Sequence, residues 1–141
     1  SYNFDTSRRE AFYELILKCR EEKNFKLGEK IYNMLTPINE SDKNNKLFVI
    51  NHIYDHSLYS EMSIIYFYLN KHQECIKMFK NLFMANYTIP VYINMTSHNL
   101  KLYISHIDKT DIEFYNKFIR YAEKFEIDPI LITKLKKLFI E

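Results

Sequence analysis

Glycine occurs once in this chain, at Gly28, and proline three times, at Pro37, Pro90 and Pro129. Tight β-hairpins depend on residues that tolerate positive φ, so this shortage excludes a hairpin-rich sheet and leaves an all-α fold. No apolar run reaches the ~18 residues that a membrane-spanning helix needs. Neither sign of charge dominates: 20 basic and 18 acidic residues give a formal charge of +2, which excludes a strong electrostatic footprint for nucleic acid. Cysteine is confined to Cys19 and Cys75, each on an apolar helical stripe. That placement predicts two reduced core thiols rather than a disulfide, and with them a cytoplasmic setting. The opening Ser1-Tyr2-Asn3-Phe4-Asp5 has no initiator Met and neither the basic nor the apolar region of a secretory signal, so a fragment or processed chain is expected. The Asn-x-Ser/Thr triplets at Asn39, Asn86 and Asn94 are read as chance products of an Asn-rich sequence. Tryptophan is absent, yet aromatic residues make up 16% of the chain.

What is present is helical periodicity, clearest from Leu58 to Pro90. Tyr59, Met62, Ser63 and Tyr66 run aromatic, large, small, aromatic, and Cys75 and Phe79 follow as small and aromatic. This matches the spacing of a tetratricopeptide helical hairpin. Residues at i, i+3 and i+7 form an apolar stripe, and the small residues Ser63 and Cys75 let two helices cross closely. The same pairing predicts that Tyr66 packs on Phe79. Such a hairpin cannot bury its apolar face alone and needs stacked neighbours.

The rest of the 141-residue chain is read as one domain of about six or seven helices. Ser7 to Glu10 forms a capping box opening a helix near Arg8. Phe12, Leu15, Ile16 and Cys19 supply its core stripe, and Phe25, Gly28, Tyr32 and Leu35 supply the return helix, giving a first hairpin over about 8–35 and a second over about 58–87. Gly28 and Cys75 are equivalent positions 47 residues apart, longer than the simple repeat, so something is inserted. Thr36 to Asn45 reads as a polar surface loop, and Lys46 to His56 as a short helix or extended segment. Pro90 opens a helix running to about Ile104, with Val91, Met95, Leu100 and Tyr103 buried. Thr110 to Glu113 is a second capping box, for a helix over about 110–125 with Ile112, Tyr115, Phe118, Ile119 and Ala122 inside. Asp128-Pro129 is an N-cap followed by Pro at the first helical position, for a last helix over about 128–139 with Leu131, Leu135, Leu138 and Phe139 inside.

From Arg9 to Tyr103 the chain resembles a tetratricopeptide-like helical segment found with family-2-like glycosyltransferase domains of bacteria and giant DNA viruses. The blocks that carry this are Arg9 to Leu15, Phe25 to Gly28, Leu47 to Asp55 with Leu58, Glu61 and Ser63, and the stretch from Pro90 to Leu102. The heavy use of Asn, Lys, Ile, Tyr and Phe resembles the codon bias of AT-rich genomes such as those of giant viruses or some protists. The resemblance implies a right-handed helical repeat that works by binding, as the accessory part of such an enzyme, with a protein segment or a linked catalytic domain as partner. Its alternative implication is an acceptor-recognition region for an active transferase whose catalytic domain lies outside this chain. The Asp-x-Asp metal motif of the enzyme is missing, since Asp108 and Asp111 are spaced differently, and there is no β/α alternation. No catalytic residue, metal ligand or cofactor is therefore assigned.

Two patterns come near to chemistry. His52-Ile53-Tyr54-Asp55-His56 approaches an inverted zincin motif, but its acid is one methylene short and no third ligand announces itself, so Asp55 is read as the cap of a helix starting near Ser57. Cys19 or Cys75 with His72 or His98 could form a nucleophile pair, but core thiols are inert. Lys134, Lys136 and Lys137 read as the solvated face of the last helix. There remain the positions between the core stripes, which on such a hairpin line a groove: Tyr13, Leu17 and Arg20 from the first, and Ser60, Ile64, Phe67 and Tyr68 from the second. These are residue types that anchor protein interfaces, and they are the expected contact surface.

Overall fold

Residues 6–35 and 52–139 are described by the computed structural model, and these form seven α-helices and no strand. In order they are α1 (Thr6–Glu21), α2 (Phe25–Leu35), α3 (His52–Tyr68), α4 (His72–Asn86), α5 (Pro90–Leu100), α6 (Ile112–Lys124) and α7 (Pro129–Phe139), with a 3-10 segment (Lys101–His106) after α5. The expected loop at 36–45, the start of the segment at 46–56 and the Asn39 triplet lie outside the described residues.

The turns show how a chain with one glycine reverses direction. After α1, α3 and α6 the residues Lys23, Asn70 and Glu126 take positive φ, at 62°, 59° and 55°. The following N–H groups reach back five residues, from Asn24 to Cys19, Lys71 to Tyr66 and Ile127 to Ala122, at 2.8–2.9 Å. These are Schellman caps with a side chain where glycine is usual. Lys23 and Asn70 stand 47 residues apart, the same interval as Gly28 and Cys75.

Burial repeats with the helices. In α3, Met62, Ser63 and Tyr66 are buried beside a half-buried Tyr59; 34 residues on, Ile93, Thr96, Ser97 and Leu100 are buried in α5. A further 35 residues on, Asp128, Leu131, Ile132 and Leu135 are buried in α7 and its cap. The return helices agree among themselves: Cys75, Met78, Phe79 and Leu82 in α4 are matched 40 residues later by Tyr115, Phe118, Ile119 and Ala122 in α6. The extra six residues equal the length of the 3-10 segment, which is kinked at Tyr103. Spacing of i, i+3, i+4 and i+7 puts each set on one face. Neighbours follow the same order, with α1 on α2 and α3, α3 on α4 and α5, α4 on α5, and both α5 and α6 on α7.

The central crossing is close for the expected reason. Cys75 Sγ lies 3.3 Å from the Ser63 carbonyl, so the two small residues let α3 and α4 meet at backbone distance. Gly28 does the same between α1 and α3: a Cβ there would stand 3.4 Å from Cys19 Cβ and 2.8 Å from Ile65 Cδ1. The rings depart from expectation. Tyr66 meets Tyr32 of α2 edge to face at 6.5 Å, whereas Phe79 meets Phe114 and Phe118 of α6 at 6.2 and 5.1 Å. The hairpin thus uses its two aromatics to hold different neighbours rather than each other. Phe83 joins the second group, with Phe114, Phe118 and Tyr121 all at 5.2–5.6 Å and near-perpendicular, the geometry that ring quadrupoles favour.

Other expectations are corrected. Val91 and Met95 are exposed, and Thr96 and Ser97 are buried in their place. Hydroxyls can go inside here because Thr96 Oγ1 donates to the Tyr92 carbonyl and Ser97 Oγ to the Asn94 carbonyl, both at 2.9 Å. Leu15 is 48% exposed, although α1 packs against both α2 and α3. Ile112 is exposed too, at the first position of α6, one turn ahead of the buried stripe. The Thr110 capping box does not form: Thr110 donates through N and Oγ1 to Asp108 Oδ1 in a local turn, α6 starts at Ile112, and Asp111 turns to Lys80. Asp55 is no cap either, because α3 begins at His52 and Asp55 lies within it. α1 begins at Thr6, ahead of Ser7 and the expected start at Arg8. The Asp128 cap is present as expected, its Oδ1 accepting from the Leu131 N–H at 3.2 Å.

Candidate functional site

The expected contact residues come from α1 and α3, which lie side by side. Arg20 and Glu61 join the two helices in a two-pronged ion pair, with Nη2 to Oε1 at 3.2 Å and Nε on the other oxygen. The Glu61 carboxylate raises the Arg20 pKa through its hydrogen bond, so this guanidinium is fixed as a cation and already neutralised. Tyr13, Leu17, Ser60, Ile64 and Phe67 are half-buried, and Phe67 packs against the core. Tyr68 is the open one, 60% exposed, yet its ring is held by stacking on Phe25 at 4.8 Å and 5°.

From Tyr68 an aromatic row continues across the turn ends of the hairpins. Phe67 meets Tyr68 edge to face at 5.5 Å and His72 at 6.1 Å, and His72 stacks on His106 at 3.9 Å. Each ring is orientated by the next, so the exposed edge of Tyr68 sits on a preassembled platform rather than on a mobile side chain. Gln73 Nε2 donates to the His106 carbonyl at 3.0 Å and ties the 3-10 segment to the start of α4.

Shifting the α3 positions by the 34-residue step places Asn94, His98, Lys101 and Leu102 beside Ser60, Ile64, Phe67 and Tyr68 in helix register. Asn94, His98 and Leu102 are exposed. Lys101 is held by Asp128 at 2.8 Å, with His98 Nδ1 3.4 Å from the same oxygen. Burial opposes ionisation of Asp128, but its bonds to Lys101 and the Leu131 N–H outweigh that and hold its carboxyl below the usual range. Sequence reasoning missed this third row because it followed apolar residues and chose Val91 and Met95. The Thr96-Ser97 pair, standing where Met62-Ser63 stands one step earlier, was the available signal.

No family model, curated protein or solved structure matches this chain.

Of the positions considered for chemistry, His56, Cys19 and Cys75 are buried. His56 is buried and stacks on Tyr92 at 4.4 Å; burial lowers its pKa, against the opposing pull of the Tyr92 backbone. Burial pushes the Cys75 thiol up to about 12 and raises that of Cys19 as well, so neither is a ready nucleophile. Asn86 is wholly buried and donates to the Leu82 carbonyl at 3.1 Å, which closes that triplet to glycosylation in the folded chain. Among the described residues no group of three or more His, Cys, Asp and Glu gathers to hold a metal, and no helix is long and apolar enough to cross a membrane.

Proposed function

We propose that this chain is a non-catalytic protein-interaction or scaffold module, a tetratricopeptide-like right-handed superhelix that serves as the accessory part of a glycosyltransferase-related protein, in the cytoplasm of a host cell if viral. The recurring burial of i, i+3, i+4 and i+7 in α3, α5 and α7, and again in α4 and α6, supports a stacked array of hairpins. The buried free thiols of Cys19 and Cys75 support a reducing compartment.

The observation that carries the binding role is Tyr68. A large ring with most of its surface open, but locked by Phe25 and Phe67, has already lost the entropy that binding would otherwise cost. Among the contact positions and their equivalents one step on, the cations Arg20 and Lys101 are matched by Glu61 and Asp128, which favours a protein segment with aromatic or aliphatic anchors over an acidic tail. The test is a random peptide library displayed on phage, selected against the parent chain, with the selected peptides then titrated against Tyr68→Gln. Loss of about tenfold or more in affinity is expected on removing one such anchor. Equal binding to both chains, or selection of no peptide, overturns the reading.

A further inference from the structure

A cleft of about 320 Å³, at the small end of ligand pockets, opens between α4 and the start of α6. Its wall includes Lys77, Lys80 and Asn81 of α4, Asp108 and Asp111 of the turn before α6, and Tyr115 one turn into α6. None of these is a contact position of the Tyr68 surface. Tyr115 is wholly buried, and its hydroxyl has no hydrogen-bond partner among the described residues. Burial makes this phenol less acidic, and the carboxylates of Asp111 and Asp108 add to the effect, so the hydroxyl keeps its proton and faces the acidic side of the cleft.

A hydroxyl buried without a partner costs stability that phenylalanine at the same place would keep. Repeat packing does not require a phenol here either. The equivalent position in α4 is Cys75, whose small thiol lies against the Ser63 carbonyl.

The charges of the cleft select the chemistry of an occupant. Two ammonium groups and two carboxylates line it, so a free anion meets Asp108 and Asp111 and a free cation meets Lys77 and Lys80. Part of this charge is engaged already. Lys80 pairs with Asp111, and Asp108 Oδ1 takes both bonds from Thr110. Left without a bond among the described residues are the Tyr115 hydroxyl, the Lys77 ammonium, the Asn81 amide and Asp108 Oδ2. Donors and acceptors side by side suit neutral hydroxyl groups, since one oxygen can accept from Tyr115 or Lys77 and donate to Asp108.

We propose that this cleft binds a small neutral polyol, with one ligand hydroxyl accepting from Tyr115 Oη and its neighbours shared among Lys77, Asn81 and Asp108. The site is independent of a protein partner on the Tyr68 platform.

Amide NMR spectra of the full chain, titrated with myo-inositol and separately with sodium acetate, test this alongside Tyr115→Phe and Asn81→Ala. Myo-inositol is expected to shift the Asn81 side-chain amide and the backbone amides of 108–111 saturably. Each substitution is expected to weaken that binding about tenfold. Tyr115→Phe is expected to melt no lower than the parent, which separates lost binding from lost folding. Asn81 is half-buried on α4, so its alanine variant probes the cleft without disturbing the core. Shifts that are absent or never saturate, unchanged affinity in either variant, or tighter binding of acetate overturns the proposal. So does a Tyr115→Phe chain melting well below the parent, because its hydroxyl would then be bonded within the fold.

Discussion

Gly28 is spent inside a helix, where glycine is costly, and the turns that would welcome glycine hold Lys23, Asn70 and Glu126. The inversion has a physical reason. At Gly28 a Cβ would press on the end of the Ile65 side chain and touch Cys19, so its absence lets α2 lie close to α1 and α3. At Lys23 the positive φ opposes a side chain by roughly 1 kcal/mol, an amount the Schellman bonds can carry. In paired urea denaturations, Gly28→Leu is expected to lower stability by about 1–3 kcal/mol through overpacking, and Lys23→Gly to raise it by about 0.5–1 kcal/mol. Periodicity singled out Gly28 as a small contact without showing what it touched. Thr96 and Ser97 were not legible, since a hydroxyl counts as polar until its bond to the backbone a turn earlier is seen.

The start of α7 is fixed by one residue. Asp128 caps it through the Leu131 N–H and ties it to α5 through Lys101. Pro129 follows at the first helical position, where its missing N–H is harmless. The folded carboxyl of Asp128 lies below its usual value, so the folded state binds its proton less readily than the unfolded state. This contribution is therefore complete above about pH 4, the ordinary range of an aspartate, and is lost as pH falls through the lower folded value. Asp128→Ala is expected to cost about 1–3 kcal/mol at pH 7 and to differ little from the parent well below that range. Thermal melts of both chains at pH 7 and near pH 2 check the prediction. The cap was readable as Asp-Pro ahead of an apolar stripe. The link to Lys101 was not, since 27 residues separate the two in the chain.

Across the whole molecule the two thiols report on global opening. Cys19 and Cys75 are both buried in the stacked core, with thiols made less acidic by that burial. Cys75 is further enclosed between α3 and α4. At pH 8 both are expected to react with Ellman's reagent only as fast as the fold opens. The reaction should therefore reach two thiols per chain, with a rate that rises with urea in parallel with unfolding. Immediate reaction of either thiol in the native chain would mean that the packing around it is looser than described.

The all-helical character, most helix positions and the small contacts Ser63, Cys75 and Gly28 were set by the sequence alone, because they follow from local spacing and from turn residues the chain lacks. The partners of each ring and charge were decided only in the folded molecule. Tyr66 turns to Tyr32, Phe79 to Phe118, Arg20 to Glu61 and Lys101 to Asp128, in pairs 27 to 41 residues apart. Helical periodicity says which face of a helix is apolar; which helix covers that face depends on how the hairpins stack. Leu15 is the clearest case, with the sequence pattern of a core residue and an exposed position.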